Sequence, residues 1–67
     1  MDLAKIKEII NDYGISMPKL AAKVGISDSS FKKKIEPDKY IGYYFSDDEK
    51  DRLETAVLDL KEKLSLI

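Results

Sequence analysis

The sequence predicts a small all-α fold of about four helices, the last of them long. Three observations carry that expectation. Apolar residues recur at spacings of three and four along most of the chain, the signature of helices with one buried face. Each such run opens on Asp or Ser, and the first two close on Gly. There is no Cys and no His, so neither disulfides nor Cys/His zinc sites hold the fold, and packing must. With 67 residues, read as one domain over 1–67, the chain buries only about 60% of the surface it exposes when unfolded, and its core is thin.

The elements follow in order. In "DLAKIKEIINDYG", Leu3, Ile6, Ile10 and Tyr13 form one stripe, widened by Ile9; Asp2 suits the N-cap and Gly14 the left-handed position after the end. In "SMPKLAAKVG", Ser16 is the N-cap, Pro18 sits in the first turn where N–H groups have no helical partner, and Leu20, Ala21 and Val24 face inward. Ile15 and Leu20 are spaced as a hydrophobic staple, and so are Ile26 and Phe31 around the N-cap Ser27. The third helix, expected over 27–36, buries Phe31 and Ile35 and stops before Pro37. Residues 37–45, "PDKYIGYYF", suit an extended connection, a short strand pair or a single helical turn. Their rings, Tyr40, Tyr43, Tyr44 and Phe45, are expected to fill the core. Ser46 and Glu49 then make a capping box, and Leu53, Val57, Leu60, Leu64 and Ile67 run down a helix over 46–66.

Charge is unevenly placed. The net charge is −1, yet residues 1–45 carry eight Lys against six acids while 46–67 carry four basic residues against seven. A nucleic-acid footprint is judged on such local balance rather than on the total. No apolar run approaches the roughly 18 residues of a membrane span, and the charged N-terminus is unlike a signal peptide. A soluble, intracellular protein is expected.

Residues 16–35 have the layout of a helix-turn-helix: two short helices and a three-residue turn containing Gly, the second helix being the one that such motifs place in the DNA major groove. Ala21 is small where the helices cross, Gly25 supplies a positive φ, Ile26 plugs the core behind the turn, and Phe31 anchors the second helix from beneath. At Leu20-Ala21, Lys23-Val24-Gly25-Ile26, Phe31 and Ile35 the segment resembles the phage Cro and repressor family of regulators, often called the XRE family. The resemblance covers about residues 3–36. It implies a lambda-repressor-like domain in the cytoplasm of a bacterial or phage-infected cell, repressing transcription by covering an operator. Met17 and Pro18 stand where the family often has a DNA-contacting Gln, and one long helix replaces its two short C-terminal ones.

Carried over position by position, Ser27, Asp28, Ser29, Lys32 and Lys33 would read base edges. Ser29 can donate or accept, Asp28 can accept from cytosine N4, and Lys32 or Lys33 can donate to guanine. Lys34, about 100° around the helix from its neighbour, is expected at a phosphate, with Lys19, Lys23, Lys39 and the N–H groups at the starts of the second and third helices, Met17 among them. Leu58, Leu64, Leu66 and Ile67 offer apolar surface for a homodimer, which would present two such helices to two half-sites. The rival expectation is a protein-interaction module whose acidic last helix docks on another transcription protein. No Gly-rich phosphate loop, Ser/His or Cys/His set or calcium loop is present, so neither an enzyme nor a cofactor nor a metal is expected.

Overall fold

The computed structural model describes residues 2–65. Four helices follow one another: α1 (Leu3–Tyr13), α2 (Met17–Val24), α3 (Asp28–Lys34) and α4 (Asp47–Ser65). The described residues include no strand.

The first two connections are built alike, each on the tripeptide Gly-Ile-Ser. Gly14 and Gly25 take φ of +60° and +90°, where a Cβ would crowd the backbone. The Ile15 N–H reaches back to the Ile10 carbonyl at 3.0 Å, and the Ile26 N–H to the Ala21 carbonyl at 3.1 Å, which satisfies carbonyls the helix ends would leave open. Each isoleucine then dips toward the core, Ile15 buried and Ile26 half-buried. Ser16 and Ser27 accept hydrogen bonds from the backbone N–H groups of Lys19 and Ser30 and so start the next helix. Asp2 does the same for α1 through Lys5.

The core comprises Ile6, Ile9 and Ile10 of α1, Ile15, Leu20, Ala21 and Val24 of α2 and its entry, Phe31 and Ile35 around α3, and Leu53, Ala56 and Val57 of α4. Phe31 is wholly enclosed. The long helix α4 packs across both α1 and α2, while α3 packs on α2. Nineteen residues make α4 about 28 Å long, the longest element of a molecule of 37 × 20 × 19 Å.

Two sequence expectations are revised, at the end of α3 and at the aromatic rings, and the alternatives left open for residues 37–45 narrow to turns, one of them helical. First, α3 ends at Lys34 rather than 36; Ile35 is its C-cap, and the Glu36 N–H turns back to the Lys33 carbonyl at 3.3 Å, ahead of Pro37. Residues 36–43 are two successive turns, closed by Tyr40 N–H to the Glu36 carbonyl at 3.0 Å and Tyr43 N–H to the Tyr40 carbonyl at 3.3 Å. Second, the aromatics do not all join the core. Phe45 packs edge-on against Phe31, centroids 5.6 Å apart at 62°. Tyr40 is half-buried, but Tyr43 and Tyr44 are exposed, and so is Ile41. Tyr13, at the end of the α1 stripe, also stands at the surface beneath the Lys61 ammonium.

Candidate nucleic-acid interface

Helical geometry sorts the residues of α3. At 100° per residue, Ser29 and Lys33 both lie about 160° from Phe31, neighbours about 40° apart on the outer face, and Lys32 lies about 100° away. Ser27, Ser29 and Lys32 are exposed and Lys33 half-exposed, whereas Phe31 and Ile35 are buried beneath them. The buried pair fixes the helix; the outer residues are left to solvent.

Lys34 and Asp28 lie only about 60° from Phe31, one on each flank. Lys34, expected at a phosphate, instead turns toward α4. Its Nζ meets Glu49 Oε1 at 2.9 Å and Oε2 at 3.0 Å, with both side chains only about a fifth exposed (21% and 19%). Glu49 also accepts the Ser46 N–H at 2.9 Å, and its own N–H reaches Ser46 Oγ at 3.1 Å, closing the capping box of α4. The Ser46 N–H first, then Lys34, hold the Glu49 carboxyl below its ordinary value of 4.5. Lys34 is thus a strut between α3 and α4, and a charge removed from the outer side of α3.

Asp28 faces Lys32 one turn on, Oδ2 to Nζ at 3.2 Å, while its Oδ1 is enclosed without a partner. So placed, the Asp28 carboxylate is paired with Lys32 across one helical turn. An exposed pair one helical turn apart is worth only about 0.3–0.5 kcal/mol, so a phosphate or guanine edge can displace it. Ser27 gives its hydroxyl hydrogen to Ser30 Oγ at 2.9 Å. Lys33 lies over the Tyr43 ring, 5.1 Å from its centroid, and Lys39 over Tyr40 at 5.5 Å. Lys23 is loosely paired with Asp59 at 3.7 Å. Asp59 also meets Lys63 at 3.2 Å, and Lys63 is the main reason its carboxyl titrates low.

The structure brings Met17, Lys32 and Lys39 together. With Ile35, Glu36 and Tyr40 they line a cleft of about 230 Å³ where the start of α2 meets the end of α3. Lys19 stands apart, beside Lys63 and Leu64 at the turn between α1 and α2. A larger cleft, about 440 Å³ between α2 and α4, includes only Lys23 of the expected set, together with Asp51, Arg52, Thr55, Ala56 and Asp59. Sequence reading missed Arg52. It donates to the Val24 carbonyl at the end of α2 at 3.4 Å and pairs with Asp48 at 3.0 Å, bracing the turn from α4. Only its standing as the sole Arg in the chain marked it, and that does not reveal a partner.

The apolar end of α4 is divided. Leu53 and Val57 are buried and Leu60 half-buried, but Leu64 is exposed. Leu58 is exposed too, about 120° around the helix from Leu64, among Asp51, Glu54, Lys61 and Glu62. One flat contact would not cover both. Leu66 and Ile67 lie outside the described residues. Among the described residues no cluster of three or more acidic, His or Cys side chains is placed to hold a metal ion, and no helix is long and apolar enough to cross a membrane.

The chain matches no protein-family model, no curated protein and no solved structure.

Proposed function

We propose that the protein binds double-stranded DNA through α3 in the major groove and regulates transcription, with repression by operator occupancy as the simplest consequence. The observation that carries this reading is the two-sided build of α3. Phe31 and Ile35 anchor its underside, a three-residue turn over 25–27 sets it against α2, and Ser29, Lys32 and Lys33 line its outer side. Lys39 adds sequence-neutral charge beside it, Lys19 and Lys23 would add charge from α2, and the first N–H groups of α2, Met17 among them, would hold a phosphate. Because only a few lysines are available, one copy makes few phosphate contacts, and a homodimer through the end of α4 at Leu64 would double them.

Selection from a random duplex pool at about 0.1–0.15 M salt tests the reading. An enriched palindrome with half-sites about 10 base pairs apart is the expected result. No enrichment by folded protein overturns it.

A second reading, a protein-interaction module on the same fold, is favoured by one observation: Asp28, Asp59 and Glu49 each face a lysine that DNA would need. Replacing both Lys32 and Lys33 with Glu separates the two. Unchanged retention on DNA would favour the interaction module; loss of retention with an unchanged helical spectrum would favour DNA.

A further inference from the structure

The turn over 40–43 is built in a way that neither the core nor the turn itself requires. Tyr43 N–H closes it on the Tyr40 carbonyl, and Gly42, third of the four residues, takes the φ of +93° that a type II turn needs there. The second position then falls to Ile41, which is 86% exposed. A type II turn has no need of a large β-branched side chain at that position, where Pro is common. Tyr44 stands beside it at 63% exposure and Tyr43 at 42%. This apolar tip is not remote from α3. Lys33 of α3 lies over the Tyr43 ring, and Lys39 lies over Tyr40 in the cleft shared with Lys32 and Met17.

Resting on the DNA reading above, we infer that this turn is a second DNA contact, with Ile41 entering the minor groove next to the major-groove stretch that α3 occupies. One turn, over 36–40, separates this turn from the end of α3, yet Lys33 of α3 touches its Tyr43 ring, so a helix seated in the major groove would hold the tip near the phosphate wall, across which the minor groove lies. Lys33 and Lys39 flank the tip with the charge such a wall attracts, and the Tyr43 and Tyr44 hydroxyls supply donors for its oxygens. Isoleucine is one of the apolar side chains that proteins insert at base steps from the minor groove, easing stacking and bending the duplex. Flexible pyrimidine–purine steps such as TA admit such a wedge most readily. A protein partner fits less well: the tip offers only a few side chains, whereas a stable interface covers about 800 Å² on each side.

The test uses the full chain and 30-base-pair duplexes of mixed sequence carrying 2-aminopurine at TA steps, at about 50 mM salt, where sequence-neutral binding is strong. Binding is read by anisotropy, and unstacking by the rise in 2-aminopurine fluorescence. The expected result is a fluorescence rise with the parent protein that Ile41→Ala abolishes and Ile41→Leu retains. Affinity should fall about tenfold in the alanine variant, while Lys32→Ala lowers affinity without removing the fluorescence rise of the complex that still forms. Parent protein that binds with Ile41→Ala indistinguishable in both readouts overturns the wedge and leaves the α3 reading standing. Parent protein that is folded and does not bind overturns both. If Ile41→Ala changes sedimentation mass and not DNA binding, the tip is a contact between copies, and the wedge is again overturned.

Discussion

Residues 15–35 and residues 40–45 make an instructive pair. The second stretch is the more apolar, with Tyr40, Ile41, Tyr43, Tyr44 and Phe45 in six positions, yet of these only Phe45 packs on the core cluster. The first is diluted by lysines and serines, yet its Ile15, Leu20, Ala21, Val24, Phe31 and Ile35 are all buried. The difference is one of phase. In the first stretch, glycine-closed and serine-capped helices set apolar side chains at three- and four-residue intervals on a single side, so that one packing event covers them all. In the second, a tight turn over 40–43 sends successive side chains in different directions, and no single surface meets them.

The sharpest way to break this comparison is Phe31→Ala. The ring is wholly enclosed, and truncating such a side chain costs about 3–5 kcal/mol. A single core of this size rarely supplies more than that, so cooperative unfolding, followed by circular dichroism in urea, should be lost.

Next comes the strut that ties the end of the first stretch to α4, just beyond the second. Lys34→Ala or Glu49→Gln should cost about 1–2 kcal/mol, between the values for exposed and buried pairs, because both side chains are about a fifth exposed. Glu49 also carries a pH signature. Its carboxyl titrates lower folded than unfolded, so its contribution is present above the ordinary value of 4.5 and is lost as pH falls through the lowered folded value. Melting temperature should therefore drop as pH falls from about 5 toward 3, and Glu49→Gln should flatten part of that drop; the remainder includes Asp59, also held low. An unchanged slope in the Gln variant would dismiss the strut.

Two glycines sharpen the contrast, because their φ angles are nearly the same. Gly25 and Gly42 have φ of +90° and +93°, and an added Cβ meets Arg52 Nη1 at an ordinary 3.6 Å in the first and nothing in the second. Local strain alone predicts equal costs. Gly25→Ala should nevertheless cost about 1–2 kcal/mol, since the joint cannot relax without moving α3 off α2. Gly42→Ala should cost less than about 0.5 kcal/mol, because the exposed turn can shift. Equal losses in thermal melts would show that packing does not hold the first joint more tightly.

The smallest effects are expected at the tip. Ile41→Ala or Tyr44→Ala should change stability by less than about 0.5 kcal/mol, since neither side chain is buried. A larger loss would mean that the turn is packed and that the two stretches are more alike than their exposure indicates.

Much of the fold was legible because its signals are local. Asp2, Ser16, Ser27 and the Ser46–Glu49 box sit at the starts of their helices, Gly14 and Gly25 at the ends of α1 and α2, and the stripe residues of α1 to α3 are buried apart from Tyr13 and the half-buried Leu3. The outer side of α3 was legible for the same reason: once Phe31 and Ile35 point inward, helical geometry places Ser29 and Lys33 opposite. The partners of charges were not legible. Lys32, Lys33 and Lys34 are three identical neighbours in sequence, and one turns to an exposed Asp, one to a Tyr ring and one to a half-buried Glu fifteen residues on. Arg52 reaching Val24 is a contact of the same long-range kind.

The sequence by itself determined the four helices, their caps, their order and the side each turns inward, because hydrogen bonds to caps and the 3.6-residue period act within a few residues. Only the tertiary structure decided which lysine is withdrawn into a strut, which aromatic ring is enclosed and which stay outside, and how far α4 overhangs the core. Those outcomes depend on the space and charge that distant segments bring together, and nothing in the local chain encodes them.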